Sequence, residues 1–281
     1  MMLNNVRTDL ALEARNAFSG ELEGAELTER EIGGIRLTEL NVSSQRAADM
    51  LCKPLGKYLT LELDSFIKRR ETSFAALANA AADCLRSFEA VRSSKSALVA
   101  CLGNRQITPD AVGSLTADSV IVTRHLKATL PKEFSAFSSV AVLRTGVLGT
   151  TGIESMDTLK AVCDLIKPDC VIAVDALASS DMSRLCRTVQ ICDSGIAPGS
   201  GVGNNRAQLN HESIGVPVIA MGVPTVIDAA AFTDSEDAKG LFVTPRNIDE
   251  LAASVSKLMA YAINLALHPS LTVEDIDLLI E

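Results

Sequence analysis

Tryptophan is absent from this 281-residue chain, tyrosine occurs twice and histidine three times. So few imidazoles argue against a histidine-based catalytic set, and His125, His211 and His268 are too far apart in sequence to suggest a shared metal. Other chemical signatures are missing too. There is no HExxH, no GxSxG nucleophile elbow and no GxxxxGK(S/T) phosphate loop. None of the seven cysteines forms a CxxC pair, and their dispersed, apolar settings read as buried free thiols in a reducing cytosol. No apolar run reaches the ~18 residues of a membrane span. The opening MMLNNVRTDLALEARN is too polar for a signal peptide. With a net charge of -9, the chain lacks the basic field that nonspecific nucleic-acid binding requires.

What is present is an aliphatic core. Apolar residues make up 47% and aromatics 4%, the signature of a Val, Leu, Ile and Ala interior in which helices cover a parallel sheet. Residues 1–30 are polar and helix-prone, while Ile32 to Val42 and Tyr58 to Leu63 alternate as half-exposed, antiparallel strands. A short helix is expected from Ser44 to Cys52 and a long one from Asp64 to Ser93. From Ser96 the rhythm changes. Apolar runs at 96–103, 138–144, 170–174, 188–192 and 217–221 alternate with helices, and two more helices cover 246–267 and 272–280. This is the pattern of βαβ units in one α/β domain over residues 1–281, with a mostly parallel sheet.

Three aspartates fall where apolar runs end: Asp110 after Ser96-ALVACLG, Asp175 after Cys170-VIAV, and Asp193 after Thr188-VQIC. In open α/β sheets ligands bind at the carboxyl ends of the strands, so carboxylates gathered there suit acid/base chemistry. Thr108 reads as an N-cap, Pro109 as a first helical residue and Asp110 as a first-turn acid held ionised by the helix dipole. Asp175 has apolar neighbours on both sides, and burial favours a protonated carboxyl there. Two such groups together would supply a base and an acid at neutral pH. The bland alternative is that both are structural. The stretch Asp193-SGIAPGSGVGN, with Gly199 and Gly201, lets a backbone approach a peptide or offers N–H donors, but lacks the third glycine of GxGxxG. In Arg144-TGVLGTTGIE, Thr150 and Thr151 read as caps and Glu154 as a first-turn acid. His125 and Arg124 read as a pair at a helix end suited to cations.

Seven blocks in order across the chain resemble the spore germination protease family. They are VRTDLALEA (6–14), LGNRQITPDAVG (102–113), VTRHL (122–126), LGTTGIE (148–154), KPDCVIAVDALAS (167–179), TVQICDSGIAPGSGVGN (188–204) and GVPVIAMGVPTVIDA (215–229). The resemblance implies an endopeptidase that degrades small acid-soluble spore proteins at germination. It implies an atypical aspartic mechanism on a fold akin to the hydrogenase-maturation peptidases, without a cofactor or metal. It further implies a homotetramer in the cytoplasm of the spore core, made as a zymogen. The family's two catalytic aspartates correspond to Asp110 and Asp175; by their own placement Arg124, His125, Arg144, Asp193, Gly199 and Gly201 are read as substrate-binding or supporting residues. Cleavage beside glutamate asks for a cation in the cleft, for which Arg124, Arg144 and Arg187 are candidates. Residues 1–7 are expected to be at most a propeptide remnant, and the segment from Asp228 to Val243 is short for the family. Substrates and other copies of the chain are the expected partners, with no direct nucleic acid and no membrane. Two rival readings are a metal-dependent peptidase and a nonenzymatic ligand-binding module built on the glycine loop.

Overall fold

The computed structural model describes residues 8–63, 74–200, 207–233, 238 and 240–280. The expectations for residues 1–7, for the start of the 64–93 helix and for Gly201 lie outside these residues.

A nine-stranded sheet organises the molecule. Its strands are β1 (Ala25–Ile32), β2 (Ile35–Val42), β3 (Gly56–Glu62), β4 (Ser96–Leu102), β5 (Ser139–Gly146), β6 (Cys170–Ser179), β7 (Thr188–Cys192), β8 (Val218–Asp228) and β9 (Phe242–Val243). They lie in the order β1-β2-β3-β7-β8-β6-β4-β5, with β9 added to β8. Strands β8, β6, β4 and β5 are mutually parallel, whereas β7, β3, β2 and β1 follow in antiparallel succession. The sheet is therefore mixed, with the βαβ rhythm of the sequence in one half. Strand β7 departs from that rhythm because its short connection from β6 leads into an antiparallel partner of both β8 and β3.

The parallel strands are apolar throughout because both faces are covered. On one face Ile172 and Val174 of β6 join Val99, Cys101 and Met221 beneath the helices Phe74–Arg86 and Ile248–Leu267. On the other, Val171 and Ala173 pack with Leu98 and Leu159, the latter from the helix Ser155–Ile166. Each such fully buried Leu or Ile contributes roughly 1.5–3 kcal/mol.

Three local expectations are corrected. Residues 25–30, read as helix-prone, belong to β1, which runs to Ile32: Gly33 and Gly34, at φ 58° and 78°, close a two-residue turn that pairs Ile32 with Ile35. That turn and the ladder fix the strand despite its charged, exposed sequence. Thr150 and Thr151 do not cap the next helix; they sit inside the turn Leu148–Thr151, their hydroxyls bonded to the Val147 carbonyl. Glu154 is the N-cap position of the following helix, without a side-chain cap bond.

Candidate active site

Strand β4 stops at Leu102, and the loop that follows carries Asp110. Gly103 takes φ 88° and lets the chain fold back so closely that a Cβ there would lie 2.1 Å from the Asp110 carbonyl oxygen. Thr108–Asp110 forms a single 3-10 turn, followed by the helix Val112–Thr116. Thr108 is inside that turn and is not its cap. Its hydroxyl donates to Asp249 Oδ1 (2.9 Å) at the start of the long helix. The buried Thr225 hydroxyl of β8 donates to the Pro109 carbonyl (2.6 Å). Asp110 itself is half-buried, and its Oδ2 accepts the Asn104 N–H at 2.7 Å.

The same loop closes onto β6. A Cβ on Gly113 would lie 2.4 Å from the Leu102 carbonyl and 2.6 Å from that of Val174, so only glycine allows this approach. The next residue is Asp175. It is 4% exposed and its Oδ1 accepts the N–H of Ala176 (2.9 Å). Asp175 does not end its strand, since β6 continues to Ser179. It is the first residue of β6 beyond the ladder with β4, which covers Cys170–Val174. The turn bearing Asp110 thus rests against β6 and β8 at the carboxyl end of β4, and the structure brings both aspartates to one end of the sheet.

Asp193 is elsewhere. Gln190, Gly222 and Asp175 form one row across β7, β8 and β6. Because β7 runs antiparallel to β8, Asp193 lies toward the amino end of β8. That is about 10 Å along and about 10 Å across from Asp175 on standard strand spacings. Its Oδ1 accepts the Lys57 N–H (2.7 Å), which ties the end of β7 to the start of β3. The expectation of three carboxylates in one crevice is corrected to two, because strand direction reverses which end of the sheet follows the apolar run.

The remaining candidates also separate. Arg144 bonds the Asp118 carboxylate (2.6 Å) and approaches the Ser114 carbonyl. Arg105, within the Asp110 loop, holds the other oxygen of Asp118 at 2.7 Å. Arg124 and His125 open the helix Arg124–Thr129 rather than close it, so they sit at its dipole-disfavoured end, exposed beside a different cavity. Arg187 follows the 3-10 turn Met182–Arg184 and makes backbone bonds to Arg184 and Leu63. Gly199, at φ 72°, precedes Ser200, whose hydroxyl donates to Asp9 Oδ1 (2.7 Å).

Sequence reasoning missed a second polar cluster at the far end of β6. Asp9 Oδ2 accepts the Ala178 N–H (2.8 Å), and Gln190 bonds both the Asp9 carbonyl and the Ala11 N–H. Glu13, 7% exposed, accepts from Thr8 Oγ1, Ser179 Oγ, and both the N–H and hydroxyl of Ser180. The TDLALEA string at 8–14 was the available signal, but the β6-end partners of Glu13 are more than 160 residues away. A cavity of about 210 Å³ lies between this cluster and the Asp175 row, lined in part by Leu177, Gln190, Gly222, Tyr58, Cys192 and Lys53. Lys53 Nζ donates to the Thr8 carbonyl (2.8 Å), and burial pulls its ammonium below the usual lysine range against the opposing charges of Asp9 and Glu13. Among the described residues no three His, Cys, Asp or Glu side chains gather to hold a metal.

A profile for germination protease matches residues 5–238. The chain belongs to the germination protease family. Proteins named germination protease from Clostridium tetani and Caldanaerobacter subterraneus are 38% and 36% identical to it. The first match covers 97% of this chain and 98% of the relative; the second covers 98% of each. One from Bacillus cereus is 41% identical over 82% of this chain and 65% of its own length. Among solved structures, a NiFe hydrogenase maturation protease from Thermococcus kodakarensis superposes with a TM-score of 0.38 and 20% identity, over 62% of this chain and 96% of its own. Family membership supports a peptidase role in spore germination. Among the described residues no helix is long and apolar enough to cross a membrane.

Proposed function

We propose that this member of the germination protease family is an endopeptidase of small acid-soluble spore proteins and that Asp110 and Asp175 activate water for attack on the peptide carbonyl. The observation that carries the reading is the closure of the Asp110 loop over β4 onto the residue before Asp175. Asp110, half-buried with a backbone N–H on one oxygen, suits the base that takes the proton from water. Asp175, enclosed in the sheet, suits the proton-bearing partner that polarises the carbonyl and then gives its proton to the leaving amine as the C–N bond breaks, and the proton Asp110 took from water restores the pair. The base and acid roles are assigned to the dyad as a unit.

The cavity beside Leu177 and Gly222 offers room for a substrate side chain next to Asp175. Lys53, whose Nζ bonds the Thr8 carbonyl, stands in the wall of this cavity, whereas Arg144 is engaged by Asp118, so Lys53 is the cation placed to read a glutamate there. The same reading carries the homotetramer and the spore core as the site of action.

The test is incubation of the purified protein with a small acid-soluble spore protein, alongside Asp110→Asn and Asp175→Asn variants, with and without chelator. Both variants are expected to remain folded by circular dichroism and to lose at least about a hundredfold in kcat. Near-normal turnover by either folded variant rules out the dyad. Activity lost with chelator and restored by a divalent ion moves the reaction to a metal-dependent mechanism.

A further inference from the structure

The two outer strands of the sheet are protected differently. Strand β1 reads AELTEREI, with Glu26, Glu29, Arg30 and Glu31 along it, and such charges discourage pairing with another chain. Strand β5 reads SVAVLRTG, with Arg144 its single charge, no proline, and Ala141, Val142 and Leu143 only half-buried. Among the described residues β5 pairs with β4 alone.

The outer ladder of β5 is already used once. The Thr123 N–H donates to the Val140 carbonyl (3.0 Å), and the Val140 N–H donates to the Thr123 hydroxyl (2.9 Å). Because groups alternate along a strand, Val142 and Arg144 direct their N–H and C=O to the same outer side. Next to this stretch lies a cavity of about 380 Å³ lined by Val122, Arg124, His125, Ala128, Ala141 and Val142. Its lining joins the apolar Val122, Ala128, Ala141 and Val142 to the exposed Arg124 and His125. Among the described residues neither forms an ion pair, and the chain as a whole carries a net charge of -9. Lys127, on the same helix, is by contrast occupied by the carbonyls of Phe134, Ser135 and Phe137.

We propose that the outer edge of β5 binds an extended segment of the substrate by strand addition, with an acidic side chain of that segment seated between Arg124 and His125. The proposal rests on the peptidase reading above. Backbone bonds to Val142 and Arg144 supply affinity, and the cavity supplies selectivity for a carboxylate. Direction is set by the sheet. Arg144 lies opposite Cys101 and Gly146 opposite Leu102, so the β5 edge leads to the same end of the sheet as Asp110. From the level of Val142 to that end is about 10 Å, and crossing from the added strand over β5 and β4 to β6 adds about 14 Å. The anchoring acid therefore lies about seven extended residues from the bond that is cut.

The test compares two synthetic peptides. One is a short segment spanning a cleavage site of a small acid-soluble spore protein; the other extends it by eight residues and carries a glutamate seven residues from that site. The intact protein is expected to show kcat/KM about tenfold higher for the long peptide, through KM, and the gain is expected to vanish when the distant glutamate is replaced by lysine. In Arg124→Glu/His125→Glu the ratio of long to short falls to about one, as it does in Val142→Pro, which removes an outward donor at an edge that tolerates proline. No length advantage in the unmodified protein, or one that survives the charge reversal, overturns the proposal. So does a change in oligomeric mass in Val142→Pro with the long-peptide advantage intact, which assigns the edge to a second copy of the chain. Failure of the unmodified protein to cleave either peptide instead rejects the peptidase reading.

Discussion

Asp175 and Asp193 follow nearly identical sequence patterns, a short β-branched run closed by an aspartate, yet they lie in opposite halves of the sheet. Asp175 is in the parallel half, where the end of β4 leaves β6 unpaired on one side and the Asp110 loop fills the opening. Asp193 is in the antiparallel half, where its carboxylate satisfies a backbone N–H of the neighbouring strand. An apolar run that ends in an acid locates a strand end, but strand direction decides which end of the sheet that is. Asp193, like Glu13 at the end of β6, ties segments of the chain together, whereas the Asp110 loop closes beside Asp175.

The sharpest stability test of a carboxylate that ties the chain together is Glu13→Ala. Removing this carboxylate strips the acceptor from the buried Ser179 hydroxyl and the Ser180 N–H and releases the turn after β6. The expected loss is about 3 kcal/mol in urea unfolding at neutral pH. A loss below about 0.5 kcal/mol breaks the claim that this cluster is a structural clamp.

The parallel half has its own pH-sensitive element. Burial first, then the charge of Lys127, push the imidazole of His268 down to about 4, and its Nδ1 accepts the Ser138 N–H beside β5. The native protein thus resists protonating His268, while the unfolded chain takes up the proton near pH 6.5. The stabilisation is complete above pH 6.5 and declines as pH falls toward about 4, by on the order of 3 kcal/mol. In His268→Asn that decline is expected to flatten when unfolding midpoints are compared between pH 7 and pH 4.5. An unchanged slope places the acid sensitivity in other groups.

A smaller effect is expected at the β7–β3 junction. Asp193→Ala deletes one hydrogen bond to Lys57 and is expected to cost about 1 kcal/mol of stability. Unfolding measured beside Asp193→Asn, which retains an acceptor oxygen, sharpens the point. Equal losses in both variants show that the negative charge, and not the hydrogen bond, is what matters there.

Much of this was legible in the sequence. The apolar runs of β4, β6 and β8 identify the parallel strands because two-sided burial leaves no polar alternation, and Asp110 follows the end of β4, whereas Asp175 lies within β6 just past its ladder with β4. Other features depended on tertiary partners. Strand β1 is too charged to betray itself, and a two-glycine turn and its ladder with β2 define it. The reversal of β7 is invisible in a five-residue apolar run that reads the same in either direction. Lys53 attracted no notice because its significance comes from the Thr8 carbonyl and the cavity, contributed by segments distant in the chain.

The contrast between the two aspartates is tested most directly by one paired assay. Asp175→Asn and Asp193→Asn, each verified as folded, are compared with the unmodified protein for cleavage of a small acid-soluble spore protein under single-turnover conditions. Loss of at least about a hundredfold in Asp175→Asn, with Asp193→Asn within about threefold of the unmodified rate, is the expected result. Equal losses in the two variants, or a larger loss in Asp193→Asn, contradict the assignment of the chemistry to the parallel half of the sheet.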